Sequence, residues 1–561
     1  MTAVAHREVE RKYEFPEGAE ARVDWSRLEG CTISAEPVEH RMEAVYHDTQ
    51  DMALGRRLVA LRRRRGGADD GWHVKFHGPD GRHELQVPLL RTPDRMPASV
   101  RNLLAGLTGG QELRPVATLR TVRKVLRISD STGTEVAELA VDVVDAVDER
   151  TGTARSWSEW EVEILEGTVP EERQEQVFAA VEAVVFAAGG TPSSSRAKIA
   201  RALGEEDGAP AESDRRPHEG GEQPKGQEQQ KSQKQQKGQK RKKDQKGKKK
   251  GKGTGGGAAG KAAGPDVLRA VLGELAEQLV LWDFKVRLDV PDAVHQMRVT
   301  SRSLRSVLRA AGPFFEGDAG TELDARLREL ARTLSAARDA EVTAELLAGR
   351  VEALGGRVEP GAAESLRRRA GEQARTVAAK VRRHVTGQEH LRLLADVQDL
   401  AAAPPLTEEC ARLSGREVSD ALVHRALRKV VRVAERGAEA STADGTDAEH
   451  RLEHLHEVRK AVKRVRYVDD VLGRTGHRPG KQLRRAARDA EDYQDELGRI
   501  MDAAVVEQWL AATAAALGRS GEDRYAVGAL HGAEIIRLRT GTDGGSEVVG
   551  VLLSQLREDL A

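Results

Sequence analysis

Two periods of apolar and polar positions divide the chain. Before residue 204 apolar side chains recur at every second place, in REVERKYEF, HRMEAVYHD, LVALRRRR, WHVKFHG, RHELQVPL, LRTVRKVLRI, VAELAVDVV and SEWEVEIL. That alternation predicts half-buried β-strands, and the Gly, Pro and Asp clusters between the segments predict their turns. One helical stretch, EERQEQVFAAVEAVVFAA, follows the last strand. From residue 265 the period is helical, with Ala, Leu, Arg and Glu dominant and breaks at AAGPFFEGD, EALGGRVEP, AAAPPL and GRTGHRPG. Residues 205–264 fit neither pattern. They hold no aromatic and almost no aliphatic side chain, too little to offset the entropy of ordering, so a disordered, extended linker is expected.

The helical half contains an internal repeat. The run from His295 through Arg298, Arg302 and Arg305 lines up with that from His456 through Arg459, Lys463 and Arg466. Downstream, Leu334 and Asp339 line up with Leu497 and Asp502, so the His-to-Asp separations are 44 and 46 residues. Two copies of one multi-helix unit, about 265–400 and 415–561, are expected to pack as a bundle. A length of 561 residues already exceeds one core. The expected organisation is a strand domain over 1–204, the linker, and a helical domain over 265–561.

Charge sharpens this division. The formal net charge is zero, yet residues 225–252 hold twelve Lys and one Arg against two acids, so the rest of the chain carries the balancing negative charge. That run is either a tether held open by repulsion or an arm for a polyanion, and nucleic acid is expected as a partner only through it. No uninterrupted apolar run approaches 18 residues, so no membrane-spanning helix is expected. The N-terminus lacks the apolar core of a secretory signal, and Cys31 and Cys410 are too few for a disulfide framework. A cytoplasmic protein is the expectation. There is no P-loop, no dinucleotide fingerprint, no His-Glu-x-x-His and no nucleophile elbow.

What distinguishes the strands is the charge on their polar phase. Glu8, Glu10 and Lys12 share one strand face, as do Glu159, Glu161 and Glu163, Arg62 and Arg64, and Glu138 and Asp142. Lys75 and Arg120 add bases on other strands. Paired carboxylates one pleat apart suit Mg²⁺ or Mn²⁺, and an adjacent lysine suits an anion held by the same metal. A solvated strand face explains any one of these motifs. If all the faces turn inward, only a wet tunnel holding a metal–polyphosphate ion makes sense of so many charges.

The Glu-x-Glu-x-Lys start, the Leu-Arg-x-Arg strand, the lysine strand after it, the late Glu-x-Glu-x-Glu strand and Lys198 resemble the CYTH family over roughly residues 6–203. Its members include inorganic triphosphatases, thiamine triphosphatases and class IV adenylyl cyclases. The resemblance implies an antiparallel eight-stranded tunnel binding a triphosphate with divalent metal. Glu8, Glu10, Glu159, Glu161 and Glu163 would serve the metal, with Glu138 and Asp142 on the neighbouring acidic strand. Lys12, Arg62, Arg64, Lys75, Arg82, Arg120 and Lys198 would hold phosphates; Val122 stands where a second base is common after Arg120, and Lys124 is next on that face. Gln86 stands where an acid commonly follows Glu84.

In the helical half, His295, Arg298, Arg302, Arg305 and Arg309 fall within an arc of about 80° at 100° per residue, with Leu304, Val307 and Leu308 opposite. His456, Arg459, Lys463 and Arg466 repeat the stripe. Two such faces meeting would form a basic cleft that repels itself without an anion. These motifs resemble the CHAD family of α-helical domains over about 266–510, with Ser303 where a further arginine is common. That resemblance implies binding of long-chain inorganic polyphosphate and association with polyphosphate granules. The fold class expected is therefore multidomain α+β. The expected function is a Mg²⁺- or Mn²⁺-dependent phosphohydrolase acting on inorganic triphosphate or a related triphosphate, joined to a polyphosphate-binding bundle. The alternatives are a non-catalytic polyphosphate-binding scaffold and, more weakly, a class IV-like adenylyl cyclase.

Overall fold

The computed structural model describes residues 4–16, 23–67, 69–78, 81–193, 197–205, 262–441, 448–520, 522 and 524–560. The linker expected over 205–264 lies almost wholly outside the described residues. The chain forms two compact units, divided at Thr254/Gly255, with residues 101–110 counted in the second.

The first unit is built on one antiparallel sheet. Its strands are β1 (Val4–Glu8), β2 (Glu10–Glu14), β3 (Cys31–Ile33), β4 (Val38–Asp48), β5 (Ala60–Arg65), β6 (Gly71–Gly78), β7 (Gly81–Val87), β8 (Arg114–Asp130), β9 (Glu135–Asp148), β10 (Thr153–Ile164) and β11 (Thr191–Pro192). Its helices are α2 (Glu171–Ala187) and α3 (Lys198–Leu203), while α1 (Ala98–Thr108) begins in this unit and has most of its residues counted in the second. The hydrogen-bonded order is β1-β7-β6-β5-β4-β8-β9-β10-β2-β11, with β3 on β8. Only Val9 separates β1, at one end of this path, from β2, next to the other. Glu8 pairs with Arg82 and Glu10 with Glu163, so one stretch of chain joins both sides and the sheet closes. Among the described residues there are eleven strands rather than the eight expected. The β1–β2 segment counts as one position in a ring of eight, and β3 and β11 are short additions outside it.

The two faces of this wall have opposite chemistry. Outside, Tyr13, Ile128, Leu139, Val162 and Ile164 pack against Val177, Phe178, Val181, Val184 and Val185 of α2. At one end of the lumen Tyr46, Leu119, Val144, Ala146 and Trp157 close over Ala202 and Leu203 of α3, which brings Lys198 to the lumen. The β5–β6 turn demands glycine: Gly66 has φ +80°, and a Cβ there would stand 2.1 Å from the Arg41 carbonyl oxygen.

The second unit contains α4 (Gly264–Arg287), α5 (Ala293–Ala311), α6 (Ala319–Ala353), α7 (Pro360–Val385), α8 (Gln388–Ala402), α9 (Glu408–Arg412), α10 (Gly415–Ser441), α11 (Ala448–Arg474), α12 (Lys481–Asp492), α13 (Gln494–Ser520) and α14 (Tyr525–Leu560). The repeat is visible in the backbone. Both copies begin at a glycine, Gly264 and Gly415, whose N–H groups donate reciprocally across to Leu413 and Ala262 at 2.8 and 2.7 Å. A Cβ on Gly264 would stand 2.5 Å from the Cys410 carbonyl oxygen, so the join admits no side chain. Helices α4, α5 and α6 correspond to α10, α11 and α13, and the apolar sides of α5 and α11 (Met297, Leu304, Val307; Val458, Val462, Val465) are buried. Within Lys481–Ser520 one helical window reaches a mean hydropathy of 1.3, long and apolar enough by composition to cross a membrane, with 39% of it buried in this unit. This qualifies the expectation of no such helix. Val506, Trp509, Leu510 and Leu517 of α13 belong to a core cluster with α6, α7 and α14.

Leu139 is fully buried between the sheet and α2. Leu139→Ala is expected to cost the first unit about 2–5 kcal/mol, read as an earlier unfolding transition by calorimetry while the helical unit's transition stays in place.

Candidate functional site

The closed sheet turns its charged phase inward around a cavity of about 1020 Å³. Glu8, Glu10, Lys12, Arg62, Arg64, Lys75, Arg82, Glu138, Asp142, Glu161, Glu163 and Lys198 line it, and Glu159 is buried beside them. On the wall made by β8, β9, β10 and β2, Lys198 Nζ lies 2.5 Å from Glu159 Oε1, 2.6 Å from Glu161 Oε1 and 3.0 Å from Asp142 Oδ2. Arg123 bridges Asp142 and Glu161 at 2.6 Å each, and Lys12 contacts Glu161. On the wall made by β1, β7, β6 and β5, Lys75 donates to Glu8 at 2.5 Å, Arg82 to Glu10 at 2.7 Å and Arg62 to Glu84 at 3.1 Å.

These pairings set the protonation states. Burial would raise Glu161, but Lys198, Lys12 and Arg123 outweigh it and hold its carboxyl well below the ordinary range. Burial opposes the Lys198 charge too, and Glu161, Asp142 and Glu159 more than restore it. At the other side burial wins. It raises Glu8 against the pull of Lys75. It pushes Glu163 up to about 7, helped by the charges of Glu10 and Glu8, although the wide tunnel leaves Glu163 in reach of water. Burial beside Arg62 lowers Arg64 to about 10.

Two expected phosphate ligands lie elsewhere. Arg120 and Lys124 are exposed on the outer side of β8, and Arg120 pairs across the sheet with Asp145. The lumen phase of β8 is the other one, carrying Arg123 and Arg127, which pair with Asp142 and Glu138. Both phases of β8 mix bases with apolar residues, so alternation alone did not identify the inner face. The acids of β9 do, because Arg123 and Arg127 stand directly across from them. Sequence reasoning also passed over His73 and Asp69, and named Glu84 only for its place on the strand.

Not every acid cluster here suits a metal. Asp142, Glu159 and Glu161 bring carboxylate oxygens within 4.8 Å of one another, but Lys198, Arg123 and Lys12 already neutralise them. A second group of acids is Glu8, Glu10 and Glu163, of which Glu8 takes Lys75 and Glu10 takes Arg82. Glu8 Oε2 is buried with no hydrogen-bond partner. Glu163 faces Glu10 on one neighbouring strand and Glu138 on the other, while Arg82 pairs with Glu10 and Arg127 with Glu138. Hard oxygen donors in this number suit a small divalent ion.

The helical unit holds a different kind of site. Arg302, Arg305 and Arg309 of α5 and Lys460, Lys463 and Arg464 of α11 line a pocket of about 110 Å³ with Ser306 and Tyr467. Arg305 and Arg309 share Asp324 at 3.0 and 2.8 Å; Arg302 donates to Ser335 at 3.1 Å. Burial among Arg459, Arg298, Arg302 and Arg466 lowers Lys463 to about 7. His295, Arg298, His456, Arg459 and Arg466 do not line this pocket. Burial lowers both histidines to about 4, so at neutral pH they are uncharged helix-packing groups. Arg298 donates to Ser335 at 3.0 Å, and Arg466 faces Asp470 and Glu491 at 3.5 and 3.4 Å. Lys460 and Arg464 escaped the repeat comparison because Val299 and Ser303 stand at their places in the first copy.

The phase of β8 has a direct consequence. Arg123→Ala would leave fully buried Asp142 with Lys198 alone of its two basic partners and should cost about 3 kcal/mol. Arg120→Ala should stay within about 0.5 kcal/mol of the parent by chemical denaturation.

Comparison with known proteins fits both units. The CYTH domain model matches residues 6–202 and the CHAD domain model residues 270–511. A relative in Mycobacterium tuberculosis, Uncharacterized protein Rv2226, is 29% identical over 542 residues, covering 94% of this chain and 92% of its own. The CHAD domain of the plant Ricinus communis is 22% identical, covering 52% of this chain and 93% of that one, with a TM-score of 0.40. PptA from Streptomyces chartreusis is 18% identical, covering 53% and 99%, with a TM-score of 0.38. The CYTH family is metal-dependent, in keeping with the acids of the lumen. A closed, charge-lined sheet that matches one model and a two-copy helical unit that matches the other make this chain a member of the CYTH–CHAD fusion family.

Proposed function

We propose that the tunnel hydrolyses a short triphosphate, inorganic triphosphate first, with Mg²⁺ or Mn²⁺, and that the helical unit binds long-chain inorganic polyphosphate. The reading places the protein in the cytoplasm, at polyphosphate granules. The observation that carries it is the meeting of bases from opposite walls in one lumen, with the acids Glu8, Glu10 and Glu163 among them.

Arg62, Arg64, Lys75 and Arg82 on one wall and Lys12, Arg123 and Lys198 on the other would exchange their carboxylate partners for phosphate oxygens. Gripped from both sides, the chain of phosphates lies extended, and a terminal phosphorus is held for in-line attack. Glu8 and Glu10, with Glu163 beside them, would hold the divalent metal, which when bound would neutralise phosphoryl charge. Water adds to the terminal phosphorus, the bond to its bridging oxygen breaks, and orthophosphate and the shortened product leave. In the helical unit the α5–α11 pocket is rich in bases, and a polyanion relieves their mutual repulsion.

Orthophosphate release from inorganic triphosphate, measured with Mg²⁺, Mn²⁺ or EDTA, tests the tunnel. Release should require metal and vanish in Glu10→Ala, which should still bind long-chain polyphosphate. No release with either metal, from protein that retains polyphosphate, would overturn the enzyme reading in favour of a scaffold. Cyclic AMP formed from ATP without orthophosphate would point to a cyclase instead.

Arg302→Ala combined with Lys463→Ala should weaken long-chain polyphosphate binding on the order of a hundredfold and leave triphosphate turnover unchanged. Unaltered binding would remove the α5–α11 pocket from the reading.

Because Glu163 is raised to about 7, it must shed a proton to meet a cation. Mn²⁺ affinity, followed by electron paramagnetic resonance, should therefore rise with pH by up to about tenfold per unit below 7 and level off above it. Glu163→Gln should flatten the rise.

A further inference from the structure

His73 sits on β6 with 1% of its surface exposed, in the lumen phase with Lys75 but deeper in the wall. Its Nε2 lies 3.0 Å from the Asp69 carbonyl oxygen and its Nδ1 2.7 Å from Glu84 Oε1. A carbonyl only accepts, so Nε2 donates. Glu84 is a carboxylate: burial works against its charge, but Arg62 and Lys75 hold its pKa far below the ordinary range. Nδ1 therefore donates as well, and the ring ties two acceptors together.

Each of those acceptors belongs to a residue that places tunnel bases. Glu84 Oε1 also takes Arg62 at 3.1 Å, and Glu84 Oε2 faces Lys75 Nζ at 3.4 Å. Asp69 Oδ2 takes Arg64 at 2.7 Å. The Asp69 side chain is 37% exposed, on the turn shaped by Gly66 and Gly67, so its main-chain bond to His73 anchors the turn to the wall. Arg62 and Arg64 thus depend on residues that one buried histidine fixes, and Lys75 is shared between that Glu84 and Glu8 at 2.5 Å.

We propose that His73 is the positioning residue of this base wall, presetting Arg62, Arg64 and Lys75 for the phosphates. The inference rests on the tunnel reading above. When phosphate draws Arg62 and Lys75 away from Glu84, a buried carboxylate loses partners, and His73 still satisfies Oε1. Without that bond Glu84 is free to follow the bases and compete with the phosphate. His73 therefore favours the loaded tunnel over the empty one, and its loss falls on substrate affinity more than on the chemical step.

The test uses the full chain with His73→Phe, which fills the space without a donor, and His73→Gln, which can donate to one acceptor. KM for inorganic triphosphate should rise on the order of tenfold in His73→Phe and by less in His73→Gln, with kcat within about threefold of the parent. Calorimetric binding of inorganic triphosphate in EDTA should weaken in the same order, independently of turnover. Should His73→Phe fail to fold, His73→Gln reads both quantities alone. Parent-like KM and affinity in folded variants, or a fall in kcat alone, overturn the role of His73 and leave the tunnel reading standing. A parent protein that neither binds nor turns over triphosphate overturns the tunnel reading itself.

Discussion

Closing a sheet whose inner phase is charged forces each lumen side chain to find a partner inside the wall. Water fills the tunnel, but groups at its sides lose much of their hydration, and an isolated charge there is costly. The sequence of this domain meets the constraint by interleaving acids and bases on neighbouring strands. Arg123 stands across from Asp142, Arg127 from Glu138, and Lys12 from Glu161. The apolar phase faces α2 outside and the plug at α3, so fold and lumen are two sides of one alternation. Where the interleaving breaks, at Glu10, Glu163 and Glu138, acid lies next to acid along the ring. That break is where the proposed metal would find its oxygen donors.

Much of this was legible in the sequence because strand geometry is strict. A period of two fixes which residues share a face, so Glu8 with Glu10, Arg62 with Arg64, and the three acids of β10 could be grouped before any pairing was known. Choosing the inner face was possible only where one phase was clearly apolar. On β10, Trp160, Val162 and Ile164 marked the outside. On β8 both phases carry Val or Leu with Arg or Lys, and the choice of Arg120 and Lys124 over Arg123 and Arg127 could be corrected only by strand partners. His73 was invisible for a related reason. Its role lies in the orientation of two ring nitrogens and in the main chain of a turn, neither of which a pattern of residue types records.

The helical unit reveals another limit. Its repeat was readable because His295, Arg298 and Arg302 recur as His456, Arg459 and Lys463. Matching the copies selects what they share, and shared positions are also those that pack the two halves together. The two histidines are half-buried and uncharged at neutral pH, as suits such packing. Lys460 and Arg464, which line the pocket, belong to one copy only. The pseudo-twofold thus describes the scaffold better than the charged surface upon it.

The two sites differ in what an incoming polyanion must displace. In the tunnel the bases already hold wall acids, so phosphate and metal entering together replace one set of ion pairs by another with little change in net charge. Selection there depends on geometry, since only a ligand that satisfies both walls at once repairs every pair it breaks. In the α5–α11 pocket the bases outnumber their acidic neighbours, with Asp324 shared between two arginines and Lys463 driven towards neutrality by burial and by the cations around it. A polyanion arriving there removes repulsion as well as adding attraction, and any stretch of phosphates does so equally well. On the proposed reading one chain would join a site that measures its ligand to a site that only holds it, a division that would follow from whether acids are interleaved among the bases.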